Sequence, residues 1–331
     1  MDIKELILRI NDGKSISKRY KEKHKLNEKY SFYEFIEEEL NNYEKQLKAI
    51  NRDELSRLLI EADWFRGEPT AQRLYNLIKN INKEVLKTLD YCYRGDLLNA
   101  IDNLIRLLGY KNKKIKLYLV EEYINHFNFK LGNGNTYFRV RDFKKDDEID
   151  NCYHVPYNLR GNADNGRYSI SGFPCLYIAD NLKAACKEVG NKPEGKFRYY
   201  AEYKAKGTIS LLDLSLKSKE EIATLDAFDT FRQLVTYPLK LTCIIKTRNE
   251  SQKNYEEYFI PQLISHCFLY GQTEQVFTNY EGIAYTSTHD FTSICAALPA
   301  KFNPKDKIKF EGYCDWLLSK FTISDPIKYI E

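Results

Sequence analysis

The stretch KLGNGNTYFRVRDF, residues 130–143, divides the chain into two kinds of sequence. Gly132, Asn133, Gly134 and Asn135 mark a turn and end a helical pattern. TYFRVRDF, which follows, is rich in β-branched and aromatic residues, as a strand is.

Upstream the periodicity is helical. SFYEFIEEELNNYEKQLKAI, residues 31–50, opens with the capping-box pair Ser31 and Glu34 and puts its apolar residues at helical spacing. Further helices are expected over 69–89, over 95–109 with Asp96 as N-cap and Gly109 as stop, and over 114–127. Downstream, CLYIA (175–179), KFRYYAEYKA (196–205), TISLLDL (208–214), LKLTCIIK (239–246) and EGIAYTS (281–287) read as strands. Helices interleave at 181–189, 219–231 and 255–271, the last kinked or delayed by Pro261. The expectation is an all-helical domain over 1–130, whose role the sequence does not reveal, and a mixed α+β domain over 131–331.

Composition bounds the function. With 43% hydrophobic and 30% charged residues the chain is globular rather than disordered. A net charge of +4 over 331 residues permits an anionic small ligand without demanding nucleic acid. No apolar run reaches the length of a membrane span, and MDIKELILRINDGK is too charged for a signal peptide. Eight scattered cysteines without C-x-x-C spacing suggest free thiols in a reducing cytoplasm. The basic run at 14–29 suits a solvated linker or an exposed helix face. Phosphate-loop, dinucleotide-fingerprint, zincin and nucleophile-elbow motifs are missing, and the five histidines are isolated, so no metal is expected.

One unit carries chemistry. GRYSISGFPCLYIADNLKAACKEVG, residues 166–190, reads as a strand running into a short helix. Arg167 follows the turn pair Asn165-Gly166, which suggests a strand start. Tyr177 shares a strand face with the small Cys175 and Ala179, which suggests an opening there. Glu188 lies over Ala184 and Ala185, beside an expected core stripe of Leu182, Cys186 and Val189. Arg139 in YFRVR adds a second guanidinium. Two arginines, a tyrosine and a carboxylate suit an anionic, aromatic-bearing ligand on which positive charge develops.

The order YFRVR, HVP (154–156), GRYSISGFPCLYIA and A-x-x-x-E (184–188) resembles the RES domain, a family named for arginine, glutamate and serine. GIAYTSTHD, residues 282–290, resembles the segment supplying the serine, and EGYCDWLLSKFTISDPI is similar to the ends of longer members. The resemblance covers about residues 135–331. It implies an ADP-ribosyltransferase-like fold and an NAD-consuming toxin of a bacterial toxin–antitoxin pair. Such an enzyme cleaves the nicotinamide–ribose bond by phosphorolysis or hydrolysis. NAD is then a substrate, inorganic phosphate a co-substrate in the first case, no cofactor is needed, and the antitoxin is a separate chain. Glu188, Arg167 and Tyr177 take the catalytic positions; Arg139, Ser287, Tyr168 and His154 line the substrate. Transfer of ADP-ribose to a protein, and a non-catalytic nucleotide-sensing module, are the alternatives. Oligomeric state is left open.

Overall fold

A computed structural model describes residues 1–63, 69–108, 128–132, 134–144, 151–247, 255–270, 280–300 and 312–330. The helix expected over 114–127 and the stop at Gly109 lie outside them. The architecture is α+β. The chain divides into two compact units, and each is assembled from two separated stretches: Met1–Phe127 with Leu216–Ile264, and Asn128–Ser215 with Ser265–Glu331.

The first unit is helical. It holds α1 (Ile3–Ile10), α2 (Gly13–Leu26), α3 (Phe32–Lys48), α4 (Arg52–Glu61), α5 (Ala71–Tyr93) and α6 (Leu97–Leu108). The capping box at Ser31 and Glu34 is formed on both sides, and the Asp96 carboxylate accepts from the Asn99 N–H. Apolar faces meet in a core that includes Leu6, Phe32, Phe35, Ile78 and Val85. The basic run forms most of α2. Lys18 pairs with Glu22, Lys23 with Glu38 and Arg19 with Glu39, so much of its charge is met within the unit.

The later stretch of this unit departs from the sequence expectation. LKLTCIIK, expected as a strand, ends a helix, α9 (Ala227–Ile244); the helix expected over 219–231 is two, α8 (Lys219–Ala223) and the start of α9. Asp226 caps the second by accepting from the Asp229 N–H. Residues 231–244 are buried on every side. A helix buried all round carries no amphipathic period and cannot be told from a strand by pattern alone. Pro238 sits inside α9 and has no N–H to give the Leu234 carbonyl. The Tyr43 hydroxyl donates to that carbonyl instead, at 2.7 Å. The mid-helix proline is therefore satisfied by a tyrosine of α3. Pro261 falls in the first turn of α10 (Phe259–Tyr270), where a missing N–H costs little.

The second unit is built on a mixed sheet. Its strands are β1 (Asn128–Leu131), β2 (Thr136–Phe143), β3 (Cys175–Ala179), β4 (Phe197–Ala205), β5 (Ile209–Asp213), β6 (Gly282–Thr286), β7 (Ile294–Pro299), β8 (Phe321–Ile323) and β9 (Ile327–Lys328). The spatial order is β1-β5-β6-β7-β3-β2-β4-β8, with β9 also on β4. Among the described residues only β5 and β6 pair in parallel; the other pairings are antiparallel. β2 and β4 share eight registered positions, whereas β2 and β3 share one, Phe138 opposite Ala179. The helices α7 (Leu182–Val189) and α11 (Asp315–Ser319) lie in the same unit. A core of Tyr137, Leu176, Ile178, Ala201, Tyr203 and Leu298 fills one face of the sheet.

Candidate active site

The strand expected to start at Arg167 is a turn. Gly166 and Ser169 exchange backbone hydrogen bonds of 3.0 and 3.3 Å, leaving Arg167 and Tyr168 at the tip. Tyr177 braces this turn. Its hydroxyl accepts from the Tyr168 N–H at 3.0 Å and donates to the Ser169 hydroxyl at 3.1 Å. A Cβ at Gly166 would stand 2.7 Å from both that hydroxyl and Ser169 Oγ. Glycine is required here by close approach rather than by a left-handed backbone. Replacing Gly166 with Ala is expected to push the turn off Tyr177 and cost about 1–3 kcal/mol, the usual penalty of overpacking; urea unfolding checks this.

Register explains which predicted residues meet. Tyr177 lies opposite Ala297, and Tyr285 opposite Cys295. Alternation therefore sends Tyr177 and Tyr285 to the same side of the sheet. Tyr168 joins them, its ring 4.8 Å from that of Tyr285. α7 follows β3 directly. Asn181 caps it by accepting from the Ala184 N–H, and Gly190, at φ 80°, ends it. The expected core stripe is not the buried one: Ala184 and Ala185 are buried, while Val189 is 42% exposed. Small residues let α7 approach the sheet closely, and Glu188 rides at that contact.

The Glu188 carboxylate accepts a hydrogen bond from Ser287 Oγ at 2.5 Å. Ser287 is fully buried, and its oxygen also accepts from the His289 and Asp290 N–H groups at 3.1 and 2.9 Å. Those two bonds aim the hydroxyl proton at Glu188. Ser287 thus orients the carboxylate, rather than offering a free hydroxyl to a substrate oxygen. The next residue, Thr288, accepts from Arg167 Nη2 at 3.5 Å. Consecutive residues after β6 so link the carboxylate and the guanidinium.

The loop that does this is itself tied to α7. Lys187 pairs with Asp290 at 2.7 Å, and Asn181 donates to Ser293 Oγ at 2.8 Å. The Ile294 N–H donates to the Asp180 carboxylate. Hydrogen bonds from Lys187 and Thr292 hold Asp290 down to about pKa 2. Burial, followed by the neighbouring Glu188 charge, pushes the Tyr285 phenol well above its usual range, so it stays neutral.

Arg139 and His154 stand apart from this group. By register Arg139 faces Ala201, on the core side with Tyr203. It meets Tyr177 at the backbone, donating to its carbonyl at 3.0 Å. Its Nε is buried with no partner among the described residues, and burial lowers its pKa. His154 is fully buried, next to Tyr157 and Tyr313. Its Nδ1 meets the Val155 carbonyl, and its Nε2 accepts from the Cys314 N–H. Both ring nitrogens are occupied, so none is left for a ligand. Burial, and then the Arg139 and Arg141 charges, lower its pKa from 6.5 to about 4. The unfolded chain therefore binds this proton more readily than the fold does, and stability is lost as pH falls from about 6.5 to about 4. The loss is on the order of 3 kcal/mol. Urea midpoints of the parent and of His154→Gln at pH 4.5 and 7 test it; the variant should show the shallower pH dependence.

Thr288, Ser169 and Asp290 are contributors that the residue pattern did not single out. Ser287-x-x-Asp290 could have signalled a hydroxyl-closed turn. Among the described residues no cluster of three or more His, Cys, Asp or Glu side chains could hold a metal ion. All eight cysteines are free, as expected, and no described helix is long and apolar enough to cross a membrane.

Comparison with known proteins converges on these segments. A family model described as "RES domain" matches residues 139–310, more than half of the chain. A curated relative, "Putative toxin YopC" of Bacillus subtilis (strain 168), is 30% identical over 212 residues, covering 58% of this chain and 46% of that protein. The chain spans about half the length of that relative. No solved structure matches.

Proposed function

The chain belongs to the RES domain family, and from that premise we propose that it is an NAD-consuming enzyme of toxin type that cleaves the nicotinamide–ribose bond. The observation that carries this reading is the Glu188 carboxylate fixed by Ser287, with Arg167 joined to the adjacent Thr288.

Breaking this bond builds positive charge on the ribose, in an oxocarbenium-like state. Nicotinamide leaves as a neutral base, so no general acid is needed. Glu188 stabilises the developing cation and accepts from a ribose hydroxyl. Because Ser287 already holds one carboxylate oxygen, Glu188 is pre-aimed and little reorganisation falls to the reaction itself. Arg167 supplies a guanidinium for a phosphate oxygen, of NAD or of attacking inorganic phosphate. The Tyr177 hydroxyl is committed to the turn, which leaves its ring to contact the ligand. Arg139 holds the Tyr177 carbonyl from the core side of the sheet and so steadies β3 beneath the site. No cofactor is required, and the free thiols suit a cytoplasmic enzyme neutralised by a separate antitoxin chain.

Purified protein incubated with NAD, with and without phosphate, tests the reaction. Release of nicotinamide with ADP-ribose phosphate means phosphorolysis, and with free ADP-ribose means hydrolysis. ADP-ribose recovered on a protein would replace both by transfer, and intact NAD would end the proposal.

A further inference from the structure

A cavity of about 400 Å³ lies in the helical unit, between α1, α2, α3 and α9. It sits within the size range of small-molecule sites, about 300–1,000 Å³. Its floor is aromatic: Tyr43 and Tyr237 pack edge-on, with ring centroids 4.8 Å apart. The Tyr43 hydroxyl is fixed on the Leu234 carbonyl beneath Pro238, so this floor is rigid.

The charged groups around it already have partners. Arg19 forks onto Glu39 through Nε and Nη2, at 3.0 and 2.7 Å. Arg9 pairs with Glu5, and the Asp12 carboxylate accepts from Ser15. A strongly anionic ligand would have to displace Glu39 from Arg19. Neutral hydrogen-bonding groups are what remain. The Asn42 and Gln46 carboxamides, one turn apart on α3, and the Tyr237 hydroxyl have no hydrogen bond among the described residues. Burial raises the Tyr237 pKa far above its ordinary value, so the hydroxyl remains a donor.

An aromatic floor, two carboxamides that each donate and accept, and balanced charge fit one class of ligand: a planar, uncharged heterocycle with donors and acceptors along its edge. Carboxamides form paired hydrogen bonds with such edges in the recognition of adenine. We propose that this cavity binds a nucleobase or nucleoside, at a site separate from Glu188. Every other lining residue lies before residue 139; Tyr237 alone falls in the RES-matched stretch.

Calorimetric titration of the full chain with adenosine, guanosine, cytidine and uridine tests this. At least one should bind with a Kd at or below about 1 mM, and Gln46→Leu and Tyr237→Phe should each weaken it by about tenfold. Glu188→Gln should leave that binding unchanged, which separates this site from the NAD-cleaving one. A nucleoside should bind at least as well as its monophosphate. The proposal is overturned if none of the four nucleosides binds, or if binding survives both cavity substitutions. It is also overturned if inorganic phosphate or the monophosphate binds there while the nucleoside does not.

Discussion

Glu188→Gln is expected to lower the rate of nicotinamide release by about 100- to 1000-fold, the usual effect of removing a group that stabilises transition-state charge. The amide keeps the carboxylate's shape, and its oxygen can still accept from Ser287. Melting temperature should therefore stay close to that of the parent. Loss of rate without loss of fold separates chemistry from architecture. Release of nicotinamide at the parent rate would remove Glu188 from the mechanism.

The largest expected effect on stability lies in the same unit, across β2 and β4. Asp142 and Arg198 are register partners joined by two hydrogen bonds, of 2.8 and 2.9 Å. Their side chains are 8% and 5% exposed. Asp142→Ala removes the carboxylate that meets two nitrogens of the buried guanidinium and is expected to cost about 3 kcal/mol. A double replacement, Asp142→Leu with Arg198→Met, removes both charges and should recover most of that loss, because well-packed apolar pairs often equal buried ion pairs. Urea unfolding of the three variants against the parent reads the difference. Equal destabilisation by the single and double changes would mean that packing, not the loss of the Asp142 carboxylate, sets the cost.

How far the sequence reveals this molecule depends on the kind of signal each element leaves. β4 alternates buried and exposed residues over Ala201–Ala205, so its period is visible, and β2 reads as a strand by its β-branched and aromatic content. α3 announces itself through Ser31 and Glu34. α9 does not, because burial on every side erases the period, and its β-branched residues point toward a strand. Near the site, Arg167, Tyr177 and Glu188 stand out as polar residues among small or apolar ones. What they do locally is less visible. The bracing of the turn by Tyr177, and the aiming of Glu188 by Ser287, are hydrogen bonds between segments far apart in the chain. Such bonds carry no periodicity. His154 illustrates the converse: close in sequence to the Arg167 turn, it spends both nitrogens on backbone groups in the core.

The discontinuous make-up of the helical unit has a practical consequence. Residues 216–264 leave the sheet after β5, complete the helical unit, and lead on to α10 before β6 begins. Fourteen consecutive residues of α9, 231–244, are buried. Cutting the chain near residue 128 would therefore not release a free-standing sheet protein. It would strip α9 of α1, α3, α4 and α5, its packing partners, and leave a bare apolar rod between β5 and β6. Dissection of this protein calls for two cuts and a short splice, joining the end of β5 to a point within α10.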